Sequence, residues 1–370
     1  MTPKTRAEFL RQIWWAGVNV VRGDIAVARS LADHPIPRPD LILAVGKAAV
    51  AMARPAVERF GPVPTLAVTK HGHSQPGLPF EVLESAHPVP DASSLAAGAR
   101  LMAEVAKAAP GSNLLLLVSG GASALAEAPG PGVTLADITA LNRDLLASGQ
   151  DIATMNAIRT RLSMIKGGGL LRHFKGHRVT VLAVSDTRGD SIETIGSGIG
   201  LCVARPGLIH EARIVASNTV ARSAAAARSA ELGLRVLGDT ESLYDDVAAV
   251  AVLMTGMLPP TPGVVIWGGE PTVVLPPHPG QGGRNQALAL SMARAIHGSA
   301  DLSALVAGTD GSDGPTTAAG GLVDGRTWTD AAAGFLLAAD SGTFLARRGA
   351  LFTTGPTGTN VMDLAIALRG

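Results

Sequence analysis

Short runs of consecutive apolar residues recur along the chain, each closing on Gly, Ser, Thr, Asp or Lys and each leading into a segment of helical composition. They are "LILAVGKAA" from 41, "TLAVTKHGHS" from 65, "NLLLLVSGGAS" from 113, "VTVLAVSDTRGD" from 179, "GVVIWGGE" from 263, "ALVAGTDGSDG" from 304 and "ALFTTGPTGTN" from 350. Unbroken apolarity predicts strands covered on both faces, the mark of parallel sheet, whereas alternation would predict one wet face. Ala-rich stretches such as "SSLAAGARLMAEVAKAA" from 93 carry the helical period between them. Strand then helix, repeated, predicts a doubly wound α/β fold. Ligands of such sheets bind beyond the carboxyl ends of the strands. Nearly every polar cluster here falls at such an end.

A chain of 370 residues exceeds one ordinary hydrophobic core, so two domains are expected. The segment "LGDTESLYDDVAAVAVLMTGMLPPTPG", ending in a Pro/Gly-rich connector, places the boundary near 240, giving domains 1–240 and 241–370. The formal net charge of +1, with no block of like charges, argues against a nucleic-acid surface and leaves small neutral or anionic ligands. The lone Cys202 makes no internal disulfide, which points to a reducing, cytoplasmic setting. "IWWAGVNVV" near the start reads as an amphipathic helix, and no window reaches the length of a membrane span. A homodimer is left open.

Several clusters could carry chemistry. In "AVGKAAVAMA", Gly46 and Lys47 follow a strand and open a helix, so backbone N–H groups, helix dipole and ammonium converge on a place suited to phosphate or carboxylate. It is not a P-loop, because Leu41 and Ala48 stand where a Gly and a Ser or Thr belong. "LVSGGASAL" sets Ser119, Gly120, Gly121 and Ser123 at a strand end, without the closing glycine of a nucleophile elbow. Consecutive glycines allow close backbone approach to an anion. Asp186 and Asp190 in "SDTRGD", and Asp310 and Asp313 in "TDGSDG", are hard carboxylates suited to Mg²⁺, with Asx-turn capping as the plain alternative. Arg159, Arg161 and Lys166 precede a glycine triplet, as an anion clamp or as a basic helix end. The histidines at 71, 73 and 87 lack zinc-ligand spacing and read as turn or substrate-side groups. "PGQGGRNQALAL" from 279 would need a glycine at Asn285 to be a dinucleotide fingerprint.

Taken together, the motifs "GKAAVAMA", "HPVPDASS", "SGGASAL", "RLSMIKGG", "SDTRGD", "GGEPTV", "GGRNQALAL", "TDGSDGPTTAAGGLVDG" and "TGPTGTNVMDL" resemble, in order, those of the class II glycerate 2-kinases, whose C-terminal part is the MOFRL domain. The resemblance implies a larger Rossmann-like doubly wound domain, a smaller α/β MOFRL domain and an interdomain cleft. It implies ATP- and Mg²⁺-dependent phosphorylation of D-glycerate at the 2-hydroxyl, with the residues matching Lys47 and Arg284 in the active site. Asp186 and Asp190 join them as catalytic candidates, and Asp186, Asp190 and Asp310 as Mg²⁺ ligands. Gly46, Ser119, Gly120, Gly121, Ser123, Arg159, Lys166, Gly282, Gly283, Asn285, Asp310, Asp313 and Asn360 are the candidate substrate and nucleotide contacts. Members of this family also carry the hydroxypyruvate reductase name, but no complete G-x-G-x-x-G follows a predicted strand. A third reading is a metabolite-binding member with altered catalysis. The chain departs from the family pattern at Thr154, Arg161, Ile199, Gly200, Ala287, Thr317 and Met362.

Overall fold

The computed structural model describes the backbone of residues 1–148 and 152–370 and the side chains of residues 1–141 and 157–370. The side chain of Thr154 therefore lies outside the described residues. The chain divides into two compact units, Arg22–Ser217 with Gly358–Asn360, and Met1–Val21 with Asn218–Thr357 and Val361–Gly370.

The first unit holds strands β1 (Leu41–Val45), β2 (Thr65–Lys70), β3 (Glu81–Ser85), β4 (Asn113–Val118), β5 (Arg178–Val184) and β6 (Ile209–Ala216). They form one sheet in the order β3-β2-β1-β4-β5-β6, every pair parallel. This is the strand order of a Rossmann fold, with its reversal between β1 and β4. Successive side chains of a strand point to opposite faces. Leu41, Leu43 and Val45 join one core cluster with Leu101 and Val105, while Ile42 and Ala44 between them are fully buried too. Both faces are thus covered, as the unbroken apolar runs require. Helix Ala92–Lys107 presents Ala97, Leu101 and Val105 as a four-residue stripe to that core, and Asp91 with Ser94 closes its start in a capping box.

The second unit holds β7 (Val236–Leu243), β8 (Gly263–Gly269), β9 (Leu302–Gly308), β10 (Gly320–Asp324), β11 (Leu351–Phe352) and β12 (Asp363–Arg369), in the order β11-β10-β9-β12-β8-β7. Here the expectation of parallel pairing is corrected. β7 runs parallel to β8, whereas the β8–β12, β12–β9, β9–β10 and β10–β11 pairs are antiparallel. Unbroken apolarity reports burial of both faces and is silent on strand direction. Because β12 runs against its neighbours, its first residue, Asp363, lies level with Gly269 and Gly308, the last residues of β8 and β9.

The division falls at Ser217/Asn218 rather than near 240, and the N-terminal helix Pro3–Val20 belongs to the second unit. Helix Asn218–Glu231 already lies against the second sheet. Asn218 sits where a side chain on Gly268 would be, and its amide donates to the carbonyls of Val361 and Asp363. The Pro/Gly connector taken as a boundary is a loop inside this unit, between helix Val247–Gly256 and β8.

Candidate functional site

In the first unit the polar groups gather beyond the carboxyl ends of β1, β4 and β5, where the sheet order reverses. The turn after β1 is tied to the turn after β4. Lys47 N donates to Gly120 O at 2.9 Å, Ala48 N to the Ser119 hydroxyl at 3.0 Å, and Gly46 N to Val68 O at 3.1 Å. These amides were expected to cradle an anion. Those of Lys47 and Ala48 are spent on joining the two turns and that of Gly46 on β2, so the β1 turn offers its ligand the Lys47 side chain rather than a nest of N–H groups. The amides of Gly120 and Gly121 meet no acceptor among the described residues.

Gly120 admits a close approach. A Cβ there would lie 2.0 Å from Asp186 Oδ2 and 2.1 Å from Asn360 Nδ2, and Asn360 donates to Asp186 at 3.1 Å. A Cβ on Gly121 would meet the His87 ring at 3.0 Å and Lys47 Cγ at 3.3 Å. Lys47, His87, Asp186 and Asn360 therefore surround one glycine pair. Ser123 accepts from the Ser197 hydroxyl at 2.9 Å close by. Asp190 sits in the following turn with φ 48°, its N–H donating to Thr187 O.

The anion clamp expected from Arg159 and Lys166 takes another form. Lys166 is buried and ion-paired with Glu127, whose carboxylate also accepts from Ser163 at 2.5 Å and from Ala128 N at 3.0 Å. Burial holds the Lys166 ammonium below the ordinary lysine range against the pull of Glu127, and it lowers the Arg159 guanidinium likewise. Lys166 is thus a structural partner of Glu127, a residue that no motif pointed to.

In the second unit Arg284 opens helix Arg284–Ala295 at the shared ends of β8, β9 and β12. Its guanidinium holds Asp363 through Nε at 2.6 Å and Nη2 at 3.1 Å, and Glu270 through Nη1 at 2.8 Å. Burial opposes its charge, but Asp363 and Glu270 outweigh that and strengthen its hold on the proton. Three of the five guanidinium donors are engaged, leaving two for a ligand.

The first amides of the helix that Arg284 opens would suit an anion. Asp313 fills that role's place, accepting from Asn285 N at 3.1 Å and Gln286 N at 2.8 Å, and a Cβ on Gly283 would lie 2.3 Å from its carboxylate. Gly282 likewise makes room for the Ser341 hydroxyl. Asp313 thus caps the start of this helix, with Gly283 giving it room. Asp310 closes an Asx turn on Ser312 N at 2.9 Å. Among the described residues no three His, Cys, Asp or Glu side chains gather as a metal group.

Residues 9–229 match a family described as a domain of unknown function (DUF4147), and residues 263–363 match the MOFRL family. A D-glycerate 2-kinase of Thermotoga maritima is 34% identical, with 99% of each chain covered. This chain belongs to the glycerate 2-kinase family. A glycerate 2-kinase of Pyrococcus horikoshii is 32% identical over 88% of this chain and 86% of its own. A protein of Agrobacterium vitis bearing the hydroxypyruvate reductase name is 35% identical over 98% and 94%. The crystal structure of a glycerate kinase from Thermotoga maritima superposes with a TM-score of 0.86 at 33% identity, covering 99% of this chain and all of that one.

Within the glycerate 2-kinase family, this chain's departures fall in distinct surroundings. Ile199 is buried in the first unit's core and Ala287 in the second's, so both are packing positions here. Arg161 and Thr317 are exposed. Met362 sits at φ 67°, a left-handed conformation that Asn adopts far more readily than Met. The family's usual Asn at this place has a backbone reason. As for the reductase name, β2 ends on Thr69 and Lys70, without the carboxylate that would hold a dinucleotide ribose.

Proposed function

We propose that this chain transfers the terminal phosphoryl group of ATP to the 2-hydroxyl of D-glycerate, giving 2-phosphoglycerate and ADP. The observation that carries the reading is the convergence of Lys47, His87, Asp186 and Asn360 around Gly120 and Gly121, in a member of this family. Phosphoryl transfer asks the protein for positioning and for positive charge on the moving group more than for covalent chemistry. Lys47 supplies a flexible point charge, and the amides of Gly120 and Gly121 supply fixed donors. In the second unit Arg284 keeps two N–H groups for an anion, with Asp363 and Glu270 holding it in orientation. Asp186, steadied by the Asn360 amide, accepts the hydroxyl proton as the oxygen attacks.

Mg²⁺ is commonly held by one or two carboxylates, with water and substrate phosphates filling the other positions, so it needs no ready-made cage of three carboxylates. Asp190, in the turn after Asp186, would hold it, leaving Asp186 to take the proton; Asp310 accepts from Ser312 N in its own turn. When bound, the ion would neutralise phosphate oxygens.

The decisive assay couples ADP release to D-glycerate with Mg-ATP and reads the product by phosphorus NMR. Glycerate-dependent ADP and a 2-phosphoglycerate signal are expected. Hydroxypyruvate-dependent loss of NADH with no ADP would replace the kinase by the reductase. Lys47→Ala should cut kcat by about 10²–10³, the usual loss when one charge-stabilising donor is removed, with the circular dichroism spectrum unchanged.

A further inference from the structure

The second unit carries a cleft of about 340 Å³ with no part in the chemistry above. Three arginines from three separate elements line it. They are Arg11 on helix Pro3–Val20, Arg326 in the turn after β10, and Arg348 at the end of helix Ser341–Arg347. Asp324 is the one carboxylate among the lining residues, and it is engaged in its own turn, accepting from Arg326 N at 2.9 Å and the Thr327 hydroxyl at 3.2 Å. Among the described residues no carboxylate pairs with Arg11, Arg326 or Arg348; Arg348 donates to the carbonyl of Arg326 at 2.6 Å.

The lining therefore carries a surplus of two positive charges in a protein whose net charge is +1. Beside it Arg6, almost fully buried, donates to Ser303 Oγ, to the carbonyls of Met1 and Ala300 and to the terminal carboxylate of Gly370, and Asp301 and Asp324 also act on its charge, so it adds nothing to that surplus. A concave surface lined by one sign of charge concentrates the field of that charge and draws counter-ions. Planar guanidinium forks contributed by three elements suit the several oxygens of phosphoryl groups. Among the described residues no aromatic ring lines the cleft, so a nucleobase would find no stacking surface on them.

We propose that this cleft binds a small polyanion bearing two phosphoryl groups and no base, at a site separate from the one built around Lys47. The inference does not rest on the kinase reading. Calorimetry with inorganic pyrophosphate tests it, using the full chain carrying Lys47→Ala so that heat from that site is suppressed. One-to-one binding is expected, weakened at least about tenfold by Arg11→Glu and by the Arg326→Ala, Arg348→Ala pair, and weakened again by added salt. The Arg11 side chain makes no hydrogen bond or ion pair among the described residues, so its reversal has no polar contact to lose and isolates the charge. Inorganic phosphate should bind at least about tenfold less well, since one phosphoryl group cannot engage guanidinium groups from three elements at once. Absence of binding, binding untouched by the arginine changes, or inorganic phosphate binding equally well would each overturn the proposal.

Discussion

Asp313 shows how one buried residue can tie stability to pH. Burial pushes its carboxyl up to about 6 from an ordinary 3.8, against the two amides of Asn285 and Gln286 that favour the charged form. The folded chain therefore binds this proton more tightly than the unfolded chain between those values. The contribution is fully present below about pH 4 and is lost as pH rises through about 6, a change on the order of 3 kcal/mol. Urea unfolding of the wild type and of Asp313→Asn should diverge across that window, with the wild type losing stability relative to the variant as pH rises. Parallel pH profiles would show that Asp313 titrates normally. The same residue shows where sequence reading stops. An Asp-Gly pair at a strand end is read equally well as a metal ligand or as a cap, and only the helix brought against it decides.

At the scale of elements, the tie between Lys166 and Glu127 joins the segment after helix Ile152–Leu162 to the segment after the short helix Ala122–Leu125. Both side chains are almost wholly out of water, so the pair is stable as a pair and costly as a single charge. Glu127→Gln should destabilise the chain by about 3–5 kcal/mol, the usual result of orphaning a buried ion. A Glu127→Leu, Lys166→Met double variant should recover much of that loss. An unchanged denaturation midpoint in Glu127→Gln would mean that Lys166 is solvated or neutral. Elements also differ in how legible they are. The apolar runs at β1, β2, β4, β5, β8 and β9 announced buried strands. β3, β6 and β7 did not, because their residues are a mixture of exposed, half-exposed and buried. β12 is buried yet Ala-rich, so its composition fits a helix as well as a strand.

At the scale of the molecule, the first 21 residues belong with the C-terminal half of the chain. Trp14 is fully buried, edge-on to Phe352 with centroids 5.0 Å apart, in a core shared with Ile266, Leu305 and Ile366. Trp14→Ala should cost the second unit about 3–5 kcal/mol, as large aromatic truncations do. Hydrogen exchange would then speed up in β8, β9 and β12 while β1 and β4 keep their protection. Equal loss in both sheets would mean that the units do not unfold separately.

Local order was written into the sequence: where buried strands and helices lie, that the fold is α/β, and that polar groups cluster at strand ends. Hydrophobic period and turn chemistry act over a few residues, so they are visible in a string. The family motifs also brought Lys47, Asp186 and Asn360 into view before any geometry did. Tertiary structure alone decided which donors were already spent. It set Asp313 as a cap on the helix that follows Gly282 and Gly283, gave Lys166 to Glu127, gave Arg284 to Asp363 and Glu270, and set His87 beside Lys47. Those outcomes depend on partners 14 to 79 positions away along the chain. A hydrogen-bond donor has one proton to give, and which acceptor receives it is fixed only when the chain has closed.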